Sequence, residues 1–520
     1  MANKKSKQAA VHDPYVSALD KKVSEIKLAA SLDDNLSTMD ALFQDVDITI
    51  KRRFRNCLDD GLEFCIYYTD GIVNSMLINE HIIKPLLYSN KITPDRQLLE
   101  SVKDSFVMAN EVKESQDITE IIEAVTYGDT ILFAEGFDKA LIISSKSFML
   151  RSINEPETEK VLEGPREGFT EGILMNLCMI RRRIRSHQLK MTYRSMGEQS
   201  ATTVCVCYMD GIVNPKILSE LIRRLDRIDM DCILDSNYIC EHITEASFMS
   251  FPTCGKTERP DIVTARLLEG RIAVFVDGTP MVLTLPYLFL ENFQSNEDYY
   301  VNNIYGTFSR LIRMVGFLLA ILIPATYVAI VAYHHEIMPI SLMINITYER
   351  LNVPLPASVE CFIMLICFDV LREAGIRMPS QVGQALSIVG ALVIGQAAVE
   401  AKLVAAPMII VVALTGITGL TAPRLWAPSL FCRYFLLLMA SAFGLFGMLV
   451  GLSILFTHLF NLNTLGVSYT LMPRNLQFQN VKDSFFRARW SNMLTRYLPL
   501  SKNRIRSAPK PLSVKKGKRL

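Results

Sequence analysis

Apolar positions change their spacing once along the chain. Up to about residue 313 they come as short alternating or helix-spaced groups between polar residues, and beyond it they fuse into long runs without charge. Met314 to Tyr333 (MVGFLLAILIPATYVAIVAY) meets the length of about 20 residues that a helix needs to cross a hydrocarbon core. Gln381 to Val399, Leu403 to Ala422 and Tyr434 to Phe460 also lack Asp, Glu, Lys and Arg, so four full spans are expected. Only Glu400, Ala401 and Lys402 separate the second from the third, which predicts an antiparallel hairpin. Small residues recur every four positions at Gly383, Ser387, Ala391 and Gly395, and again at Gly447 and Gly451, as close helix packing in a membrane requires.

Residues 334–380 are too apolar for an ordinary loop, and Pro339, Pro354 and Pro356 interrupt them, so 337–371 is expected to be broken or re-entrant. Inside it, SVECFIMLICFDVLREAG (358–375) carries Glu360 and Asp369. Nine residues of helix are half a turn past two rotations, which sends the two carboxylates to opposite faces. Glu360 shares its face with Met364, Cys367 and Leu371 and has no cation at helical spacing, whereas Asp369 has Arg372 and Glu373 nearby for local pairing. An acid at the centre of a spanning helix costs about 2.5 to 3.5 kcal/mol, so it is a functional candidate by default. Glu360, Met364, Cys367 and Asp369 are therefore expected along a hydrated cation pathway, with Pro354, Pro356, Arg372 and Glu373 as its gating or structural motif.

The first half repeats itself. CIYYTDGIVN (65–74) and CVCYMDGIVN (205–214) match at an offset of 140 residues. In the second copy an apolar run ends at Asp210-Gly211, Asn214 and Pro215 follow as N-cap and first helical residue, and Ile217, Leu218, Leu221, Ile222, Leu225 and Ile228 keep helical spacing. TILFAEGFDKALII (130–143) and RIAVFVDGTPMVLTL (271–285) read as hairpins, the latter with Asp277-Gly278 as a two-residue turn. The fold class expected is thus an α/β two-lobed cytoplasmic domain built from a duplicated unit, followed by an all-α multi-pass membrane domain. Its divisions are a mobile arm (1–40), a first lobe with a connecting helix (41–186), a polar linker (187–202), a second lobe (203–313), the membrane domain (314–460) and a basic tail (461–520). The IRRRIRS run (180–186) reads as a solvated helix end.

Charge sharpens this division. Lys and Arg against Asp and Glu number 36 to 46 over residues 1–313, 6 to 6 over 314–473 and 13 to 1 over 474–520. Basic flanks beside apolar spans mark the cytoplasmic side and suit membrane lipid, and no nucleic-acid partner is expected. Eleven cysteines without a CxxC pair point to reduced thiols. The start (MANKKSKQAAVHDPYV) has no apolar run behind its basic residues and does not read as a cleavable signal. No phosphate-cradling glycine motif, zinc spacing or nucleophile–base set occurs, so no cofactor, metal or catalytic residue is expected, and the chain does not read as an enzyme.

Further stretches carry a family resemblance: GPREGF (164–169), CYMDGIVNP (207–215), LDS (234–236), TERPD (257–261), EGRIAVFVDGTP (269–280), FQSNEDYY (293–300), REAGIRMP (372–379) and SIVGALVIGQAAVEAKLV (387–404). From about residue 50 to 473 the chain resembles the GerA-type spore germination proteins, the A subunits of nutrient germinant receptors. The resemblance implies a multi-pass protein of the spore inner membrane, with its amino-terminal domain and tail in the cytoplasm. Its implied partners are a transporter-like B subunit, a lipoprotein C subunit and further copies of itself. It also implies a role in triggering germination, through a homo-oligomeric ring that releases monovalent cations as a gated ion channel. A sporulation protein of similar architecture belongs to the same family. A secondary transporter, or a scaffold coupling a nutrient-binding partner to another channel, are the alternatives.

Overall fold

The computed structural model of the chain describes residues 26–57, 62–88, 111–147, 163–245, 251–378, 393–470 and 483–493, with 23, 102, 156, 159, 161, 495–496, 500–503 and 506 beside them. The first lobe contains α1 (Leu32–Leu42), β1 (Thr49–Arg55), β2 (Glu63–Thr69), a helical stretch over 75–88, β3 (Val112–Ser115), α2 (Ile118–Tyr127), β4 (Thr130–Ala134) and β5 (Ala140–Ile143). After α3 (Ile173–Arg183) the second repeats the order as β6 (Leu189–Met196), β7 (Thr202–Met209), α4 (Pro215–Leu225), α5 (Ser236–Ile243), β8 (Gly255–Thr257), α6 (Pro260–Leu268), β9 (Ile272–Val276) and β10 (Val282–Leu285).

Each lobe is a five-stranded sheet, in the orders β1-β2-β4-β5-β3 and β6-β7-β9-β10-β8. Every pairing is antiparallel, and even register is duplicated: Thr49 faces Thr69, and 140 residues on Leu189 faces Met209. The helix starts follow the sequence signals, since Asn74 and Asn214 each cap the helix after them by accepting backbone N–H groups.

Strand alternation then sets the layers. Cys65, Tyr67, Ile131 and Phe133 of one sheet and Cys205, Cys207, Ala273 and Phe275 of the other face a shared interior, filled by α1, α2, α3 and α6. Phe64, Ile66, Leu132 and Leu141 point away, under the 75–88 helix, as Val204, Val206, Ile272 and Val274 do under α4 and α5. The two lobes therefore share one core.

Four expectations for this half are corrected. The mobile arm 1–40 ends in α1, capped by Ser31, whose Leu32, Leu36 and Met39 at helical spacing are buried between the sheets. The linker 187–202 contains β6, an edge strand whose Thr192, Arg194 and Ser195 are partly or fully exposed, and it belongs to the second lobe. Asp277-Gly278 does not close a two-residue turn: Leu283 pairs with Val274, leaving residues 277–281 between the strands, and the Asp277 carboxylate accepts the Ile173 N–H at 3.0 Å, capping α3. Arg181 of the basic run is buried, with its guanidinium donating to the carbonyls of Ser186 (2.8 Å) and Leu189 (3.1 Å).

The second half is helical among the described residues, apart from one two-residue strand pair at 463–468. It comprises α7 (Asn303–Tyr333), α8 (Ile340–Arg350), α9 (Ala357–Arg377), a helical stretch at 393–400, α10 (Ala406–Gly419) and α11 (Trp426–Asn461). Two stretches, Asn303–Tyr333 and Pro423–Asn461, are long and apolar enough to cross a membrane.

Two expectations change here as well. Residues 337–371 are not a broken element throughout, because α9 runs unbroken for 21 residues once Pro354 and Pro356 are passed, about 31 Å of helix. The expected span 434–460 is not one rod. At Gly444 (φ 64°, ψ −143°) the chain reverses, and the arms 426–443 and 445–461 pack side by side. A Cβ added at Gly447 would lie 2.1 Å from the Met439 carbonyl oxygen, and one at Gly451 would lie 2.9 Å from the Leu436 side chain. Both glycines thus serve packing within the chain. The 393–400 stretch and α10 form the expected hairpin, with Gly395 facing Ile409. Gly383, Ser387 and Ala391 lie outside the described residues.

Candidate functional site

Pro356, extended at φ −67° and ψ 149°, stands at the N-cap of α9, and both prolines keep the helix from starting earlier. Glu360 falls in the first turn and is fully buried, with Met364 one turn on in the same packed cluster. Its Oε1 accepts the Ala405 N–H at 2.6 Å just before α10, and its Oε2 lies 3.7 Å from Arg350 Nη1 at the end of α8. Glu360 has no cation at helical spacing on α9, and the arginine nearest its carboxylate comes from another helix.

Asp369 is likewise paired across helices rather than locally. Its Oδ2 accepts from Arg433 Nη2 at 2.6 Å and from the Tyr434 hydroxyl at 2.7 Å, both on α11. The Arg372 guanidinium lies 3.0 Å from the centre of the Trp426 ring, so it stacks on the base of α11 instead of neutralising Asp369. Glu373 pairs with Arg377 at 2.7 Å on the exposed side, and Cys367 is half-buried. The residues expected to share one pathway thus separate into a Glu360–Met364 cluster at the start of α9 and an Asp369–Arg433 cluster nearer its end. The open face of α9 carries Val359, Ile363, Ile366 and Val370.

A denser polar site lies where the second lobe meets α7. Arg259 grips Asp261 with two hydrogen bonds (3.1 and 2.8 Å) and donates to the Pro165 carbonyl at 2.8 Å, while the Tyr300 hydroxyl donates to Asp261 at 2.7 Å. This brings TERPD, GPREGF and FQSNEDYY together. Asp298 then binds Arg310 (3.4 Å) and Arg313 of α7, and Arg310 reaches on to Asp483 (3.3 Å) and its carbonyl (2.7 Å) in the segment that follows the helices. Glu291 lies against Arg266 and Arg271 of the lobe, and Arg424, just before α11, pairs with Glu159.

Burial pushes Asp298 and Asp483 above the usual carboxylate range, and the arginines beside them offset that only in part. Burial, with the neighbouring Asp261 charge, pushes Tyr300 up to about 12. Between these groups opens a cavity of about 570 Å³ lined by Arg266, Arg271, Glu291, Asp483, Trp490 and Arg506. No nucleophile is paired with a base here. Instead, the pairs of Arg310, Arg313 and Arg424 tie the lobes, α7, the start of α11 and the 483–493 segment to one another, an arrangement suited to transmitting displacement. In the sequence, Arg310 and Arg313 stand just before the apolar run that starts at Met314. Their spacing of three residues on one helix face was the available signal for a shared partner.

The family model for the Bacillus/Clostridium GerA spore germination protein matches residues 37–498. Among relatives, spore germination protein KA of Bacillus subtilis (strain 168) is 40% identical over 434 residues, covering 83% of this chain and 79% of that protein. Spore germination protein GerLA of Bacillus cereus is 35% identical (81% and 86%), and the uncharacterized membrane protein YfkQ of Bacillus subtilis (strain 168) is 39% identical (90% and 91%). The crystal structure of the N-terminal domain of the A subunit of the Bacillus megaterium spore germinant receptor GerK3 is similar at 30% identity and a TM-score of 0.41, covering 51% of this chain and 98% of that one. This chain belongs to the GerA spore germination protein family.

Proposed function

We propose that the chain is the membrane-embedded A subunit of a spore nutrient germinant receptor, and that several copies enclose a cation pathway that opens when a nutrient-binding partner engages. One observation carries this reading: α9 turns its carboxylates inward, each beside an arginine of another helix, and leaves an apolar stripe of Val359, Ile363, Ile366 and Val370 uncovered. An apolar stripe repeated around an axis closes a pore by dewetting. The ion pairs hold α9 against α8 and α11 and so set the position of that stripe. Of the two acids, Asp369 keeps 16% of its side chain exposed and Glu360 none, which moves the ion-facing role from Glu360 to Asp369.

The lobes and the tail sit on one side of the helical half, in keeping with an even number of crossings and a cytoplasmic placement on the spore inner membrane. A transporter-like B subunit and a lipoprotein C subunit complete the receptor in this reading. A partner acts only if it binds one state better than the other, and the junction around Arg310 offers a route by which movement of the lobes reaches α7.

Monovalent-cation flux from vesicles carrying the receptor tests the proposal. Ile366→Ala is expected to raise flux without nutrient, and Asp369→Asn to change cation preference. If both variants retain normal flux and preference, the chain is a scaffold and conduction belongs to a partner.

A further inference from the structure

Beyond α11, the described residues 483–493 lie at the base of α7. Arg487 is buried, its N–H donates to the Thr307 hydroxyl at 3.2 Å and its guanidinium to the Tyr299 carbonyl at 3.1 Å, while the Ser484 carbonyl accepts from Arg310 at 3.3 Å. The Trp490 ring packs 5.8 Å from that of Tyr299. Three large aromatics of this pinned segment nevertheless stay exposed, Phe485 48%, Phe486 65% and Trp490 58%, with Phe485 and Trp490 at the rim of the cavity and Arg489 exposed among them. Beside them the first turns of α7 leave Tyr305 and Phe308 uncovered.

From these contacts we infer that the 483–493 segment and the first turns of α7 form an interfacial anchor that docks on the anionic headgroups of the cytoplasmic leaflet. This rests on the membrane reading of the helical half and adds a specific lipid contact to it. Two observations choose lipid over another protein. Phe308 lies six residues before Met314, where the apolar run of α7 begins, and so within about 9 Å of the hydrocarbon boundary along the helix. Aromatic rings with a polar edge concentrate at that depth. Positive charge dominates the chain around the segment, with 13 Lys and Arg against one acid over residues 474–520, and each such cation near an anionic surface favours binding. The 483–493 segment is then a member of the junction held against lipid, and a shift of α7 must either carry it along or lift it off the leaflet.

The chain has two tryptophans, so the fluorescence difference between the wild type and Trp490→Phe isolates Trp490. The full chain is reconstituted into vesicles of phosphatidylglycerol and phosphatidylcholine, with flotation confirming insertion, and phospholipids brominated near the headgroup are used as quenchers. The expected result is that the Trp490 component is blue-shifted, loses most of its intensity to brominated lipid, and recovers it when phosphatidylglycerol is omitted. An unquenched Trp490 in floating vesicles overturns the anchor. If iodide also fails to reach it, a second copy of the chain covers the segment instead. Quenching that ignores phosphatidylglycerol overturns the anionic recognition, and failure to float overturns the membrane reading itself.

Discussion

Arg310 and Asp298 lie buried against one another, Nε 3.4 Å from Oδ2, where the last loop of the lobes meets the first long helix. Neither side chain reaches solvent appreciably, so the pair holds only while both charges stay compensated. Arg310→Ala leaves the buried Asp298, and the 36% exposed Asp483 beside it, with a weakened counter-charge, and a loss of about 3 kcal/mol is expected. Thermal unfolding of the detergent-solubilised full chain measures it, and a change within about 0.5 kcal/mol, the range of ordinary surface substitutions, contradicts the junction.

Acid should act on this junction in an unusual direction. A carboxyl whose folded-state pKa is raised contributes stability that is fully present below its unfolded value and is lost as pH rises through the folded value. Asp298 and Asp483 are of this kind, raised by burial. At Glu167 burial also pushes upward, but hydrogen bonds and charge from Arg182 and Arg183 outweigh it and hold the carboxyl low, so its contribution is lost only as pH falls through that lowered value. Amide protection around 298–310 is therefore expected to hold or rise between about pH 7 and 5, and loosening over that interval would contradict the assignment.

The pairing of Asp369 with Arg433 gives a sharper energetic test. Asp369→Leu alone strands a guanidinium that is 1% exposed, at an expected cost of about 3 to 5 kcal/mol. Adding Arg433→Met removes the stranded charge and should recover most of that loss. A double-mutant cycle on thermal stability reads the coupling, and strictly additive effects would show that the two residues do not depend on each other.

The reversal at Gly444 is testable by chemistry. A Cβ on Gly451 would lie 3.4 Å from that of Met439, close to the separation a disulfide spans. The pair Met439→Cys and Gly451→Cys should therefore crosslink within one chain under mild oxidation, detected by mass after blocking free thiols. In one straight helix these positions stand about 18 Å apart and cannot crosslink.

Much of the first half was legible because its signals are local. Asn214 and Pro215 at a helix start, the apolar run around Cys205 that ends at Asp210-Gly211 and the 140-residue repeat each depend on a few neighbouring residues. Leu32, Leu36 and Met39 were equally readable, and α1 was missed because the polar residues around them outweighed three apolar positions. The polar face of β6 hid a strand for a similar reason, since an edge strand needs only one buried side. Arg350, Arg433 and Asp483 could not be read as partners, because each lies ten or more residues away from the charge it neutralises and only the tertiary fold joins them. The reversal at Gly444 was hidden because apolar residues flank it on both sides and no polar turn announces it.

Whether several copies surround one pathway is decided most directly by the native mass of the detergent-solubilised chain, with bound detergent subtracted. A closed assembly of several 58.7 kDa copies is predicted, with the stripe of Val359, Ile363, Ile366 and Val370 protected from aqueous labelling in the closed state. A single copy would contradict the proposal, because one chain presents that stripe on an exposed face and cannot by itself repeat it around an axis.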